Sequence, residues 1–213
     1  MLKQKYFIDI HKGITPLFII GLIFYFNQWD NQIALLYLSL HGTYGLLWIT
    51  KSYIYPDKQW ESKTSIFYGM LIWFSMSLYW LSPYLIVTNT NIFPIFDDPP
   101  FIYFSICISM YILGIFLHFT SDMQKFTQLR NKPGQLINDG LFKRCRNINY
   151  FGELLIYSSF ALLSMHWVPF IVLILFIILV WVPNMLRKDK SLTKYDNFED
   201  YKKGSKLFIP FIY

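Results

Sequence analysis

Residues 101–153 read FIYFSICISMYILGIFLHFTSDMQKFTQLRNKPGQLINDGLFKRCRNINYFGE. From Phe101 to Thr120 the stretch holds no Asp, Glu, Lys or Arg, and about 20 such residues suffice to cross the roughly 30 Å apolar layer of a bilayer as a helix. From Ser121 charged and amide side chains take over. The helix is expected to continue until Lys132, Pro133 and Gly134, where proline cannot continue it and glycine permits a turn. A second turn at Asn138, Asp139 and Gly140 redirects the chain. The segment then enters another apolar helix, with Asn149 as its expected N-cap and Glu153 one turn inside.

Working outward, the same pattern recurs. Of 213 residues, 54% are hydrophobic and 21% aromatic, more than a soluble domain of this size can bury. Apolar stretches at Gly13 to Asn27, Gln32 to Thr50, Ile66 to Val87, Phe101 to Thr120, Tyr150 to Met165 and Val168 to Leu186 predict an all-α integral membrane protein, a bundle of about six transmembrane helices. The last two form a helical hairpin around His166 and Trp167, with Pro169 opening its second arm. Because apolar spans continue along the chain, the first reads as a span and not as a cleaved signal.

Charge orients the bundle. Six spans put both termini on one side, and that side then holds all 19 Lys and Arg residues, in four groups: before the first span, at Lys51, Lys58 and Lys63, from Lys125 to Arg146, and after Leu186. The other face keeps only Asp30, Asp97 and Asp98. The positive-inside rule makes the basic side, with both termini, cytoplasmic. The net charge of +6 is then juxtamembrane and suited to anionic lipid, which makes nucleic acid a poor partner. Cys107 and Cys145 lie at different levels and four scattered histidines show no ligand spacing, so neither a disulfide nor a metal site is expected.

The chain, one membrane domain over 1–213, changes character near residue 120. Residues 1–120 are spans joined by short loops, expected to line a lipid or substrate cavity. Residues 121–213 add two polar segments, Ser121 to Asn149 and Arg187 to Lys206, around the last hairpin. In the second, Leu192, Tyr195 and Phe198 at helical spacing suggest a surface amphipathic helix that Gly204 stops, after which LFIPFIY packs back on the bundle.

Two sets of residues stand out. An acidic residue within a span faces a protein-lined cavity or snorkels beside a partner such as Arg146 or Arg187. Tyr150 and Tyr157, at minus three and plus four from Glu153, put two hydroxyls and a carboxylate on one face and favour the first reading. In the second span His41, Tyr44, Trp48 and Lys51 share a face, either as packing residues or as a cavity lining. Trp29, Trp60, Trp80 and Trp167 near span ends read as an interfacial belt.

The order Ser121-Asp122, Leu129-Arg130, Lys132-Pro133-Gly134, Gly140-Leu141-Phe142, Asn149-Tyr150-Phe151-Gly152-Glu153 and the tail FEDYKKGSKLFIPFIY resembles the steroid 5-alpha-reductase family, including its bacterial members of the DUF1295 type. The resemblance implies a membrane reductase using NADPH to saturate the conjugated C=C of a lipophilic enone, whether a steroid 3-oxo-4-ene, an isoprenoid or an enoyl lipid. It implies cofactor contacts at Asp122, Arg130, Asn149 and Glu153 on the cytoplasmic side, with Arg146, Tyr150, Arg187, Lys190 and Tyr195 as further candidates. Arginines suit phosphates, while carboxylates and amides suit ribose and nicotinamide groups; the absence of GxGxxG excludes a Rossmann host. The family's tyrosine donor falls on Trp48 and its supporting N-terminal glutamate has no counterpart, so Tyr44 and His41 are the expected catalytic pair.

A related membrane methyltransferase of the isoprenylcysteine carboxyl or phospholipid type, using S-adenosylmethionine, is the alternative. Its Arg-His-Pro-x-Tyr signature is replaced here by Arg146-Asn147-Ile148-Asn149-Tyr150, although Asp189 with Leu192 mimics its later acidic element. A non-catalytic membrane protein is a third possibility, which gives no reason for Glu153 inside a helix. No protein partner is implied beyond the lipophilic small molecule and membrane lipid.

Overall fold

The computed structural model describes residues 1–89 and 99–212; Asp97, Asp98 and Tyr213 lie outside them. Helices dominate: α1 (Gln4–Tyr25), α2 (Gln32–Ile54), α3 (Ile66–Met76), α4 (Leu81–Thr88), α5 (Phe101–Asn131), α6 (Ile148–Leu163), α7 (Trp167–Phe176), α8 (Val182–Leu192) and α9 (Phe198–Gly204). Single 3₁₀ turns lie at Ser77–Trp80 and Gly140–Lys143, and a π-helical turn at Ile177–Trp181 joins α7 to α8. Among the described residues five helical stretches are long and apolar enough to cross a membrane, namely α1, α2, Ile66–Thr88, α5 and Trp167–Leu192. The chain is an all-α, multi-pass membrane protein. The sixth expected span is α6, whose 16 residues reach only about 24 Å.

The chain forms two compact units. The first comprises Met1–Ile108 and Ser158–Val172. Its N-terminus is tied down by two short strands, β1 (Leu2–Lys3) and β2 (Lys63–Thr64), paired antiparallel with Leu2 opposite Thr64. Glu61 receives Lys3 at 2.5 Å and also pairs with Lys5. Asn31 caps α2, accepting from Ile33 N and Ala34 N at 3.1 Å each, and Ser65 caps α3. Helices α1 and α2 approach closely at Gly45, where an added Cβ would lie 2.5 Å from the carbonyl oxygen of Lys12; small residues permit such approach between apolar helices.

The first helix starts at Gln4, nine residues before the expected start of the span. Hydropathy ends the span at the charges of Asp9 and Lys12, yet Lys12 is only 3% exposed and lies against aromatic faces. Trp80 also differs from the expected belt. It stacks on His11 and Phe18 (centroids 4.9 and 4.1 Å) and donates to Thr15 Oγ1 at 2.9 Å, so it is a packing residue of this bundle.

The second unit comprises Ser109–Tyr157 and Leu173–Tyr213. Helix α5 runs to Asn131 and ends at the expected turn, with Gly134 at φ +79° and Gly140 at φ +52°, backbone that glycine adopts without steric penalty. Gln124 donates to Asp139 O and Oδ1 and accepts from Leu141 N, while Gln128 donates to Asp139 Oδ1, which pins the loop to α5. Phe142, Cys145 and Ile148 form the local core. Helix α6 begins at Ile148, so Asn147 flanks it and Asn149 lies inside the first turn; the expected N-cap is two residues too late. Leu192, Tyr195 and Phe198 do not share one helix either, because α8 ends at Leu192 and a turn precedes α9. Phe198 is buried at the start of α9. Gly204 ends α9 as expected, and Leu207 and Phe208 pack back into the unit.

Candidate functional site

In the second unit the helices α5 and α6 cross on two glycines. A Cβ on Gly114 would meet Gly152 O at 2.7 Å, and one on Gly152 would meet His118 N at 2.6 Å. The glycine of the Asn-Tyr-Phe-Gly-Glu motif is therefore a contact point between backbones. This approach lets His118, buried on α5, reach α6: its Nδ1 lies 3.3 Å from Asn149 O. A carbonyl only accepts, so Nδ1 carries the hydrogen. The other ring nitrogen faces Asp122 Oδ2 at 3.8 Å. His118 thus brings Asp122 and Asn149 into one neighbourhood. Asn149 Oδ1 is buried and has no hydrogen-bond partner among the described residues.

Tyr150 and Glu153 continue along α6, both half-buried. The face shared with Tyr157 is covered by Trp181, whose ring lies 5.7 Å from that of Tyr150 and 6.2 Å from that of Tyr157. Exposed Arg130 lies over Phe126 at 5.5 Å. Exposed Arg187 donates to Asn184 Oδ1 at 3.4 Å, and Lys190 is exposed. Tyr195 sits in the turn before α9, with Lys194 Nζ 5.0 Å from its ring.

Arg146 is used differently from the other candidates. Its guanidinium forks onto Asp189, Nε to both oxygens at 3.1 Å and Nη2 to Oδ2 at 2.9 Å, while Nη1 reaches Ser205 O at 2.7 Å, Ser205 Oγ at 3.1 Å and Lys202 O at 3.3 Å. Lys188 Nζ donates to Arg146 O and Asn147 Oδ1, Asn147 Nδ2 to Leu207 O, and Tyr201 OH to Phe142 O. This network locks the turn before α6 to the tail. Burial holds the Tyr201 hydroxyl and the Cys145 thiol above their ordinary values, so neither ionises near neutrality. Sequence reading missed Lys188, Asn147 and the structural use of Asp189, because their partners lie about 40 to 60 positions away.

In the first unit the stripe on α2 is buried: His41, Tyr44, Trp48 and Lys51 are each at most 7% exposed. His41 Nδ1 lies 3.0 Å from Tyr37 OH, and its ring stacks on Phe160 at 4.4 Å. Lys51 lies within α2, as its place on the stripe requires, with Nζ 4.7 Å from the Trp48 ring centroid. Asp9 accepts from Ser52 Oγ at 2.7 Å. It lines a recess of about 10 Å³ with Lys5, Trp48, Lys51 and Glu61, room for about one water.

The residues of the second unit are chemically suited to a dinucleotide. Asn149 Oδ1 offers a buried acceptor for an N–H or O–H donor, Asp122 and Glu153 suit ribose hydroxyls, and the exposed guanidinium groups suit phosphate. A nearby groove of about 560 Å³, lined by residues such as Leu117, Leu141, Phe151 and Pro210, is apolar and suits a lipid chain better than a nucleotide. No cluster of three metal-binding side chains occurs among the described residues.

The second unit thus carries a buried polar cluster in a chain whose helices are long and apolar enough to cross a membrane. The family model described as a protein of unknown function, DUF1295, matches residues 51–206. The chain is also 26% identical over 203 residues to 3-oxo-5-alpha-steroid 4-dehydrogenase 1 of Bos taurus, an alignment covering 87% of this chain and 70% of that protein. No solved structure matches it significantly. The chain belongs to the DUF1295 family and, through this likeness, to the steroid 5-alpha-reductase family.

Proposed function

We propose that this protein is a membrane NADPH-dependent reductase that saturates the conjugated C=C of a lipophilic enone, steroid-like or an isoprenoid or enoyl lipid, with its cofactor side facing the cytoplasm. NADPH when bound supplies the hydride. Asp122, Asn149, Tyr150 and Glu153 hold its polar groups, and Arg130, Arg187, Lys190 and Tyr195 are the further contacts; Arg146 serves the cofactor only by fixing the turn that carries Asn149. Tyr44, with His41 one turn away, is the donor toward the carbonyl oxygen. The observation that carries this reading is the buried, unsatisfied amide oxygen of Asn149 beside His118 and Asp122, within the motif shared with the family. An unsatisfied buried acceptor calls for a donor that is absent from the chain itself.

Thermal unfolding in detergent with NADPH, NADH or S-adenosylmethionine tests it, because a ligand of the folded state raises the midpoint. Stabilisation by NADPH, lost in Asn149→Ala or Glu153→Ala, is expected. Stabilisation by S-adenosylmethionine alone would transfer the protein to the methyltransferases.

A further inference from the structure

The apolar groove of the second unit takes no part in the proposed reaction. It holds about 560 Å³, within the range of pockets that take a small molecule. Its walls come from separate parts of the chain: Leu117 on α5, Leu141 in the 3₁₀ turn, Phe151 on α6, and Phe211 and Ile212 in the tail. Phe211 and Ile212 are 78% and 75% exposed, so the tail presents apolar surface at the groove's edge. Arg144 is the one charged residue that lines it among the described residues. It is exposed, as are Lys143 and Lys206. The backbone holds Arg144 beside Lys206, because Lys206 N donates to Arg144 O and Arg146 N to Lys206 O, each at 2.9 Å. Whereas Arg146 is committed to Asp189, Arg144 makes no ion pair among the described residues. The groove therefore has an apolar body and a cationic rim.

Helix α6 sets the depth of this rim in a bilayer. Its 16 residues reach about 24 Å, short of the roughly 30 Å apolar layer. Such a mismatch is met by local thinning and by flanking side chains that extend to the headgroups. Lys143 and Arg144 flank α6 at its N-terminal end and so stand at headgroup level, on the side that the positive-inside rule makes cytoplasmic. We propose that the groove binds one anionic phospholipid of that leaflet, with an acyl chain against Phe151 and Ile212 and the phosphodiester held by Arg144 and Lys206. A guanidinium suits a phosphate through its paired N–H donors, and basic pockets at membrane helices take anionic headgroups. A zwitterionic lipid offers the same chains but brings an ammonium group to a cationic rim. Because the walls come from α5, the turn, α6 and the tail, an occupant ties these segments together and stabilises the unit that carries Asn149. The proposal stands apart from the reductase reading.

The test titrates the full chain, delipidated in detergent, with phosphatidylglycerol and with phosphatidylcholine of the same acyl chains. Thermal midpoint and mass spectrometry of the retained lipid are the readouts. Wild type is expected to keep one phosphatidylglycerol per chain and to be stabilised more by it than by phosphatidylcholine. Arg144→Gln should weaken phosphatidylglycerol about five-fold and leave phosphatidylcholine unchanged, while Arg144→Lys should keep most of the preference. Ile212→Asp should weaken both lipids. Arg144 and Ile212 are exposed, so the lipid-free midpoints of these variants should match wild type. Lys58→Gln, which removes the same charge from an exposed position of the first unit, should change neither lipid. Equal response of wild type to the two lipids, or an Arg144→Gln variant that keeps the wild-type preference, would overturn the proposal. So would displacement of the lipid by 4-cholesten-3-one, which would make the groove a path for the substrate. Dimerisation of the lipid-free protein that Ile212→Asp abolishes would overturn it too, by making the groove an interface between copies. The response to NADPH is read separately, and none of these outcomes decides it.

Discussion

In the first unit Lys12 and His11 meet the faces of aromatic rings, whereas in the second Arg146, Lys188 and Asn147 meet carboxylate and carbonyl oxygens at hydrogen-bonding distance. Ring contacts hold a polar group among apolar helices without fixing a direction, whereas hydrogen bonds fix both distance and direction. The contrast separates polarity packed against rings from polarity fixed by directional bonds. It also divides the second unit internally, because Asn149 Oδ1 makes no bond while Asn147, two residues earlier, makes two.

The comparison breaks most visibly at Arg146. Removing one partner of a buried pair strands the other charge, so Arg146→Ala is expected to lower stability by about 3–5 kcal/mol, read as a large drop in the thermal midpoint in detergent. Lysine cannot reproduce the fork, and Arg146→Lys should rescue little. Next is the α5–α6 crossing. Gly152→Ala pushes a methyl into backbone and should cost about 1–3 kcal/mol, together with NADPH affinity, since His118 and Asn149 separate. Gly21→Ala in α1, with nothing within 4 Å, should be neutral or slightly stabilising.

Asn149→Ala sharpens the contrast from the other side. It should leave the midpoint of the ligand-free protein unchanged and weaken NADPH about 10-fold, or about 1.4 kcal/mol, measured by titration. Arg146→Ala would show the reverse order of effects.

The smallest effect is at Glu61. Hydrogen bonds from Lys3 and Lys5 hold its carboxyl below the ordinary 4.5. A depressed carboxyl contributes stability that is present above the unfolded value and lost as pH falls through the folded one. Between pH 6 and pH 3, Glu61→Gln should therefore remove a small part of the acid-dependent fall in midpoint, leaving the rest of the curve in place.

Much of this was legible in local sequence. Apolar runs located the helices, Pro133 with Gly134 and Gly140 marked the two turns, and a three-four-three spacing found the stripe on α2. What escaped depended on distant partners. The start of α1 was hidden because hydropathy counts Lys12 as a charge in water, while the rings that accept it come from α2. The N-terminus of α6 was misplaced because Asn147 and Asn149 look alike on propensity alone, and only the distant partners Leu207 and Lys188 show that the Asn147 side chain is used before the helix. Arg146 looked like a phosphate ligand until Asp189 and Ser205 closed around it. Gly114 and His118, at a spacing of four, were the available signal for the α5–α6 crossing, and only the position of Gly152 gives them meaning.

The central claim is hydride transfer to a lipophilic enone, and isotope transfer tests it most directly. Purified protein is incubated with NADPH deuterated at both C4 positions and 4-cholesten-3-one, and the product is read by mass spectrometry and NMR. The account predicts a saturated ketone carrying one deuterium on the former β carbon. A saturated ketone without deuterium, or bound NADPH with no saturated product from any enone lipid offered, would contradict it.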